Sequence, residues 1–215
     1  ATPILWNMVI DQLLSEDRTD PVQKVCYADD VTTIVSGPSL ETLRDLTQSF
    51  ISKATTWADR CGLRLSETKT VAVVFTSKRS REMKPLHLYG REVAVVNRVK
   101  CLGVTLDQNL NWTPHVQEKA KKAMGILAQI RRAFGTTWGL TPSRLWLIYT
   151  AMIRPAVAYA GIIWRSALEN NFCVELLRKV QGRACRAITG AYPSTPFDGL
   201  NAILCLPPLD LYLRG

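Results

Sequence analysis

The residues best suited to chemistry are two adjacent carboxylates, Asp29 and Asp30, within the segment Cys26-Tyr-Ala-Asp-Asp30. Hard oxygen ligands of this kind are preferred by Mg²⁺. Two such ions held close together can activate a hydroxyl nucleophile and stabilise a leaving phosphate oxygen. An Asp-Asp pair also occurs in ordinary turns, where both carboxylates only face water. The pair is therefore compatible with a metal site or a solvated turn. The neighbouring sequence is needed to distinguish these two interpretations.

The segments on both sides of the two aspartates predict the element that would present them. Val, Ile, Thr and Tyr favour strands, and they are frequent just before Asp29 and just after Asp30. A tight connection between two such strands would place both carboxylates at its tip. We therefore predict a β-hairpin centred on the acidic pair.

Sequence patterns also predict the neighbouring elements. Thr2-Pro3 combines a capping residue with a proline in the first turn, and this favours a helix that reaches about Leu14. An apolar stripe at helical spacing follows Pro38-Ser39 and ends at Gly62, which is typical of an amphipathic helix. The other predictions are a short buried strand over 71–75, two or three strands over 86–106 with turns near Tyr89-Gly90 and Asn97, and only helices from Thr113 onward, with breaks at 135–142, 154–155 and 192–196.

Charge is distributed unevenly along the chain. The 215 residues are 47% hydrophobic, enough to bury the core of one large or two small domains, and they carry a formal net charge of +9. Residues 1–75 hold 7 Lys/Arg against 10 Asp/Glu, whereas residues 76–215 hold 20 against 8, a net +12. A basic segment can bind nucleic-acid phosphates or can form a solvated helix face. Charge alone leaves both interpretations open.

The cysteines and the apolar segments indicate the compartment. Six cysteines are widely scattered without a C-x-x-C motif, and the chain has only two histidines, so no zinc site is visible. A disulfide framework is formally possible, but a chain of this length does not need one. The apolar stretch over 145–164 is interrupted by Arg154-Pro155, which argues against a membrane span. We therefore expect a soluble, intracellular protein with reduced thiols and no membrane partner.

The motifs and their order resemble those of reverse transcriptases of non-LTR (LINE-like) retrotransposons. Tyr27-Ala28-Asp29-Asp30 is similar to the catalytic box of that family, and Cys101-Leu-Gly-Val-Thr-Leu-Asp107 is similar to its primer-grip motif. The other matching segments are 2–14 before the hairpin, 62–75 after the following helix, and 153–164 and 206–210, which resemble thumb and post-thumb signatures. Six such segments in the family's order make a chance match implausible.

The resemblance implies an α+β fold. Residues 1–112 would form part of a ferredoxin-like polymerase palm, an antiparallel sheet with helices that contains the catalytic hairpin and the primer grip. Residues 113–215 would form an all-helical thumb and a C-terminal helical region. In the family a further strand with a third aspartate, and the fingers, precede the first helix seen here. We therefore expect a fragment or degenerate copy that is inactive alone, and we expect poor stability in 1–106, where sheet edges would be unpaired.

The resemblance also implies catalytic roles. Asp29 and Asp30 would bind two Mg²⁺ ions, with Tyr27 and Ala28 packed beneath the primer terminus. Lys69 would lie near the leaving pyrophosphate and donate a proton or stabilise charge. A solubilising lysine at the entrance to a strand is the alternative for Lys69.

Further residues would contact nucleic acid. Leu102-Gly103-Val104 would bring the backbone close to the primer, although a structural bulge explains the glycine equally well. The backbone phosphates of a duplex would be contacted by Lys119, Lys121, Lys122, Arg131 and Arg132. The tryptophans Trp112, Trp138, Trp146 and Trp164 are predicted to be core residues rather than base-stacking platforms.

The function implied by the resemblance is RNA-directed DNA polymerisation. A primer 3′-hydroxyl would attack the α-phosphate of a deoxynucleoside triphosphate, with an RNA template, a DNA primer or an RNA–DNA duplex as partner. The missing N-terminal palm and fingers would belong to the same polyprotein, which could also carry an endonuclease domain and would act in the nucleus at the site of integration. The alternatives are a catalytically dead nucleic-acid-binding remnant and a structural helical module.

Overall fold

The structure is a computed structural model that describes residues 3–15, 21–76, 83–133 and 139–215, without the side chains of 132 and 133. The chain divides into two compact units, Ala1–Asn97 and Arg98–Gly215. The predicted α+β class is confirmed, because small sheets and several helices are both present. By packing, the hairpin that follows Asn97 belongs to the C-terminal unit. The functional division at residue 112 stays a prediction.

The N-terminal unit alternates helices and short strands. Helix α2 begins where predicted, since the Ser39 hydroxyl accepts a hydrogen bond from the Thr42 backbone N–H at 3.1 Å. It ends before Gly62, which has a φ of +67° that glycine adopts without strain. The elements are α1 (Pro3–Ser15), β1 (Val22–Tyr27), β2 (Asp30–Val35), α2 (Leu40–Arg60), β3 (Val71–Ala72), β4 (Leu86–Leu88) and β5 (Arg91–Val95).

The core of this unit lies on one face of the β1–β2 hairpin. Trp57 and Ala58 of α2 pack with Ile10 and Leu13 of α1, and inward-facing hairpin residues pack against them. Side chains alternate between the faces of a strand, so the neighbouring hairpin residues point the other way. That outer face carries Val25, Tyr27 and Ile34, each more than half exposed. A smaller core of Leu86, Leu88 and Val93 lies under α2.

The described strands form separate sheets rather than one antiparallel sheet. Within the described ranges β1 pairs only with β2, and β3, β5 and β4 form a second sheet in which β3 runs parallel to β5. The strand predicted over 71–75 was too long, because its ladder covers only Val71 and Ala72. Val71 and Phe75 are exposed, and Val74 is the buried residue of the segment. A two-residue parallel ladder therefore replaces the buried strand.

The C-terminal unit joins one hairpin to a helical bundle. Four strands lie over 86–107 rather than two or three, because a turn at Leu102-Gly103 separates β6 from β7. The elements are β6 (Arg98–Cys101), β7 (Val104–Asp107), α3 (Thr113–Ala133), α4 (Pro142–Ile148), a π-helical segment (Tyr149–Ile153), α5 (Arg154–Ala158), a 3₁₀ segment (Arg165–Glu169), α6 (Asn171–Thr189), α7 (Phe197–Ile203) and α8 (Leu209–Arg214). Helix α6 is central and packs against α3, α4, α7 and α8.

The helix break predicted at Arg154-Pro155 was wrong. The chain stays helical from Pro142 to Ala158, with a π-helical segment just before the proline. The Arg154 N–H donates to the Tyr149 carbonyl, five residues back. Proline has no N–H to donate and its ring crowds the preceding turn, so a locally wider helix accommodates it. Among the described helices, none is long and apolar enough to cross a membrane.

The tryptophans do not share one environment. Trp164 is 1% exposed in the core of the C-terminal unit, as predicted, and Trp112 packs against that core. Trp146 is 39% exposed, so its assignment to the core was wrong. Trp138 lies outside the described residues. Helix α4 has no fully buried residue, which explains why its tryptophan remains accessible.

Candidate active site

The two aspartates lie at the tip of the β1–β2 hairpin. Tyr27 pairs with Asp30 across the strands, which leaves a two-residue turn of Ala28 and Asp29. Ala28 has a φ of +53°, a conformation that costs an L residue about 1 kcal/mol and persists only when contacts maintain it. The Trp6 indole N–H of α1 donates to the Ala28 carbonyl at 2.6 Å. Trp6 therefore fixes the turn.

Both carboxylates are accessible. Asp29 and Asp30 are exposed, and Tyr27 beside them is 66% exposed. Burial raises the pKa of the Cys26 thiol, and the negative charges of Asp29 and Asp30 raise it further. The two acids thus concentrate negative charge at the turn. They fit as part of a hard-cation site that water and substrate phosphates would complete. Within the described ranges, no group of three His, Cys, Asp or Glu side chains could hold a metal.

Lys69 lies in a separate turn of the same unit. Its side chain is exposed, and the turn is closed by a hydrogen bond from the Thr70 N–H to the Ser66 carbonyl at 3.0 Å. Among the described residues, no hydrogen bond or ion pair joins Lys69 to either aspartate. The structure therefore leaves the predicted role of Lys69 as a prediction.

The Leu102-Gly103 turn is a two-residue hairpin turn rather than a bulge. Cys101 pairs with Val104, and the turn residues have φ values of +46° and +80°. Consecutive positive φ values are typical of a type I′ turn, in which glycine avoids strain. The space is also restricted, because a Cβ atom at Gly103 would lie 3.2 Å from Cε1 of Tyr159. Leu102 is exposed, whereas Val104 is buried.

The basic residues predicted to contact phosphates do not share one surface. Lys119 and Lys122 line a groove of about 390 Å³ between α3 and the helical segment that contains Pro155. Lys121 lines a second groove of about 230 Å³ between α3 and α6, together with Lys179. Arg131 is exposed near the end of α3, and the side chain of Arg132 lies outside the described residues. We name the first surface the Lys119 groove and the second the Lys121 groove.

Positive charge accumulates at the Lys119 groove. The ammonium group of Lys119 lies 4.8 Å from the centre of the Tyr159 ring. Partial burial lowers the pKa of Lys119, the positive charges of Lys100 and Lys122 lower it further, and Glu118 opposes the shift. The positive charges near Lys119 outweigh the one negative charge of Glu118, and such an excess of positive charge favours the binding of an anion.

Comparison with known proteins identifies the family of the first 106 residues. Residues 1–106 match the sequence profile of the reverse transcriptase (RNA-dependent DNA polymerase) family. This segment belongs to the reverse transcriptase family. It contains both the acidic hairpin tip and the Leu102-Gly103 turn. The resemblance to non-LTR retrotransposon reverse transcriptases, predicted from motif order, is therefore confirmed. Reverse transcriptases use divalent metals, a nucleic-acid template and nucleotide substrates.

The curated relatives of this chain are proteins of retrotransposable elements. The chain is 25% identical to the putative 115 kDa protein in type-1 retrotransposable element R1DM of Drosophila melanogaster, over 97% of this chain and 20% of the relative. It is 25% identical to the retrovirus-related Pol polyprotein from type-1 retrotransposable element R1 2 of Nasonia vitripennis, over 89% of this chain and 52% of the relative. It is 27% identical to the probable RNA-directed DNA polymerase from transposon BS of Drosophila melanogaster, over 76% of this chain and 18% of the relative.

The matches extend beyond the segment that the family profile covers. The chain spans between 18% and 52% of the length of these relatives, so each of them is a larger protein. The alignments with R1-type relatives include the helical unit as well as the hairpin. No solved structure matches the chain significantly.

Several side chains at the reverse transcriptase motifs were not predicted from the sequence. Asp107, which is 5% exposed, accepts hydrogen bonds from the backbone N–H groups of Asn109, Asn111 and Trp112 and so fixes the loop that enters α3. An Asp followed by an Asn-rich segment is a detectable signal for such a loop. Trp6 left no comparable signal, because its partner is a backbone carbonyl 22 residues away.

Proposed function

We propose that this chain is part of an RNA-directed DNA polymerase of a non-LTR retrotransposon, acting by two-metal nucleotidyl transfer. The observation that carries the proposal is the Tyr27-Ala28-Asp29-Asp30 turn, which lies exposed at the tip of a two-residue hairpin within the segment that matches reverse transcriptases. Residues 1–112 would act as part of the palm, and residues 113–215 as the thumb and post-thumb region. The polymerase would act in the nucleus, where integration takes place.

Asp29 and Asp30 would be the protein ligands of Mg²⁺ at this tip. When bound, the ions would activate the primer 3′-hydroxyl and stabilise negative charge on the leaving pyrophosphate of a deoxynucleoside triphosphate. The exposure of both carboxylates supports this assignment, because substrate must reach them. The bond from Trp6 to Ala28 would keep the ligands oriented before substrate binds. Further ligands would come from the rest of the polymerase.

The other residues of the hairpin unit would act on the substrates. Tyr27 and Ala28 would pack beneath the primer terminus, which the exposed ring of Tyr27 permits. Lys69 would approach the pyrophosphate and either donate a proton to it or stabilise its negative charge. Its exposed position in a turn leaves the ammonium group accessible to a charged substrate.

The C-terminal unit would hold the RNA–DNA duplex. Leu102, Gly103 and Val104 would lie against the primer strand, where the absence of a side chain at Gly103 permits a close approach. The Lys119 groove is on the same side of α3 as this turn, because Lys119 stacks on Tyr159 and the Tyr159 hydroxyl donates to the Leu102 carbonyl at 2.9 Å. We therefore assign duplex phosphates to Lys119 and Lys122 and not to Lys121.

Replacing Lys119 and Lys122 with alanine should weaken the salt dependence of duplex binding. Each lost phosphate contact reduces the slope of log affinity against log salt by about 0.9, so the double variant should flatten the slope by roughly two units. Fluorescence anisotropy with a labelled RNA–DNA hybrid, over a series of salt concentrations, measures this slope. Affinity should depend little on the duplex sequence, because phosphate contacts carry no sequence information.

The matched control replaces Lys121 and Lys179, which line the Lys121 groove and carry the same total charge. This variant should keep nearly the original slope. Equal flattening by both double variants would show that net charge, not the Lys119 groove, governs binding. An unchanged slope in the Lys119/Lys122 variant would contradict the proposed surface.

A further inference from the structure

The Leu102-Gly103 turn is linked to the helices of its unit at two points. One link runs from the second strand of the hairpin to α3, and the other runs from the turn itself to the residue that follows α5. His115 and Tyr159, the residues at the far ends of these links, both contact Trp164. The contacts therefore form a closed series, Thr105–His115–Trp164–Tyr159–Leu102, that begins and ends in the hairpin. We name this series the circuit.

The first link joins Thr105 to His115. In an antiparallel hairpin alternate residue pairs exchange no backbone hydrogen bonds, so the N–H of the residue after the closing pair points outward. Cys101–Val104 is the closing pair, and the outward Thr105 N–H donates to Nδ1 of His115 at 3.0 Å. The Thr105 hydroxyl also donates to the Glu118 carboxylate at 2.7 Å. His115 and Glu118, which lie three residues apart on α3, therefore both bind Thr105 of β7.

This link requires a neutral His115. Nδ1 must be unprotonated to accept the hydrogen bond, which places the proton on Nε2. Burial lowers the pKa of His115, the charges of Lys119 and Lys100 lower it further, and Glu118 partly opposes them. The imidazole is 1% exposed, and its Nε2 has no hydrogen-bond partner among the residues that the structure describes. His115 is therefore neutral, and its Nδ1 accepts the hydrogen bond from Thr105.

The second link joins Tyr159 to the turn. The Tyr159 hydroxyl donates to the Leu102 carbonyl at 2.9 Å, and its ring edge covers Gly103. The face of the same ring contacts the Lys119 ammonium group. Trp164 fixes the backbone of Tyr159, because its indole N–H donates to the Tyr159 carbonyl at 3.0 Å. The Trp164 ring also lies 5.7 Å from the His115 ring, which completes the circuit.

We infer that His115 and Tyr159 are positioning residues that hold the Leu102-Gly103 turn on the helical unit, so that the turn and the Lys119 groove act on the primer strand as one rigid body. The consequence for the reaction rests on the proposed function, in which this turn lies against the primer. The circuit itself depends only on contacts within the C-terminal unit. The turn, the groove and α3 would therefore move together when the duplex is bound or released.

NMR spectroscopy of the complete 215-residue chain tests the circuit. Tyr159→Phe removes one hydroxyl and keeps the ring, so the fold should persist. The Leu102 carbonyl ¹³C resonance should shift, and the order parameter of the Gly103 amide should fall from about 0.85 towards the flexible range below about 0.6. The control is Tyr192→Phe, since Tyr192 is 80% exposed. A Gly103 amide that stays rigid in Tyr159→Phe would overturn the inference.

Hydrogen exchange tests the other link with a conservative rescue. His115→Phe fills the site without an acceptor, and exchange of the Thr105 amide should become about tenfold faster, as expected for the loss of one hydrogen bond. His115→Asn places an amide oxygen near the position of Nδ1 and should restore most of the protection. Equal protection in the Phe variant and the unmodified chain would overturn the role of His115.

Photochemical cross-linking tests the consequence for the primer. An RNA–DNA duplex whose primer ends in 4-thiothymidine should cross-link to the peptide that contains Leu102. In Tyr159→Phe the yield should fall by roughly threefold or more when it is measured at saturating duplex, where both proteins are fully bound. An undiminished yield with a mobile turn would overturn the positioning role. Absence of this cross-link in the unmodified chain would contradict the proposed primer contact, whatever the NMR result, and would remove the positioning role with it.

Discussion

Asp29→Asn is expected to reduce primer extension by roughly a thousandfold or more in a longer polymerase that carries this chain. Asparagine keeps the shape of the side chain but removes the negative charge that holds a cation. Metal ions contribute several kcal/mol to the stabilisation of charge in such a transition state, and each 1.36 kcal/mol is a factor of ten in rate. Single-nucleotide extension on a primed RNA template, at saturating duplex and nucleotide, measures the effect.

Affinity for the duplex should change by less than about twofold in Asp29→Asn, since the proposed phosphate contacts lie elsewhere. Asp11→Asn is the matched control, because Asp11 is an exposed aspartate of α1 in the same unit. Extension that survives Asp29→Asn within about tenfold would contradict the assigned ligand. A longer protein that binds duplex but shows no extension before any substitution would favour the alternative of a nucleic-acid-binding remnant.

Trp164→Ala should destabilise the C-terminal unit by about 3–5 kcal/mol, which is typical of truncating a fully buried aromatic side chain. Trp164 is 1% exposed within the helical core, and its N–H bonds the Tyr159 carbonyl. The substitution would therefore leave a cavity and also an unpaired carbonyl. Urea unfolding followed by far-ultraviolet circular dichroism reports on this unit, because its described residues are mostly helical.

Two variants calibrate the result for Trp164. Trp146→Ala should cost about 1 kcal/mol or less, since Trp146 is 39% exposed although its indole N–H also bonds a backbone carbonyl. Trp164→Phe retains most of the ring volume and should be destabilised less than the alanine variant. Similar losses of stability for both tryptophan-to-alanine variants would show that burial does not distinguish the two sites.

Short-range sequence patterns were sufficient to predict the helix and the hairpin that position the candidate site. The strand-forming residues around Asp29 and Asp30 correctly predicted the hairpin, and the cap at Ser39 and the glycine at position 62 correctly predicted the limits of α2. Each of these signals acts between residues that are close in sequence. The resemblance to reverse transcriptases could also be predicted from the sequence, because the order of several motifs excludes more protein families than any one motif does.

Contacts between distant residues could not be predicted in this way. Nothing near Leu102 in the sequence indicates that Tyr159, 57 residues later, donates to its carbonyl. The length of the ladder at Val71 depends on its parallel partner β5, and propensity alone made that strand too long. The opposite placement of Lys119 and Lys121 was accessible from the helical period, since two residues span about 200° around a helix.

The claim that the hairpin tip is a divalent-metal site is tested most directly by Mn²⁺ titration of the 215-residue chain, followed by NMR. Mn²⁺ broadens the resonances of nearby amides, and it prefers the same oxygen ligands as Mg²⁺. We predict that the amides of Ala28, Asp29, Asp30 and Val31 broaden first, that excess Mg²⁺ reverses the effect, and that the Asp29→Asn/Asp30→Asn double variant loses it. Broadening that is uniform along the chain, or that persists at the tip in the double variant, would contradict the account.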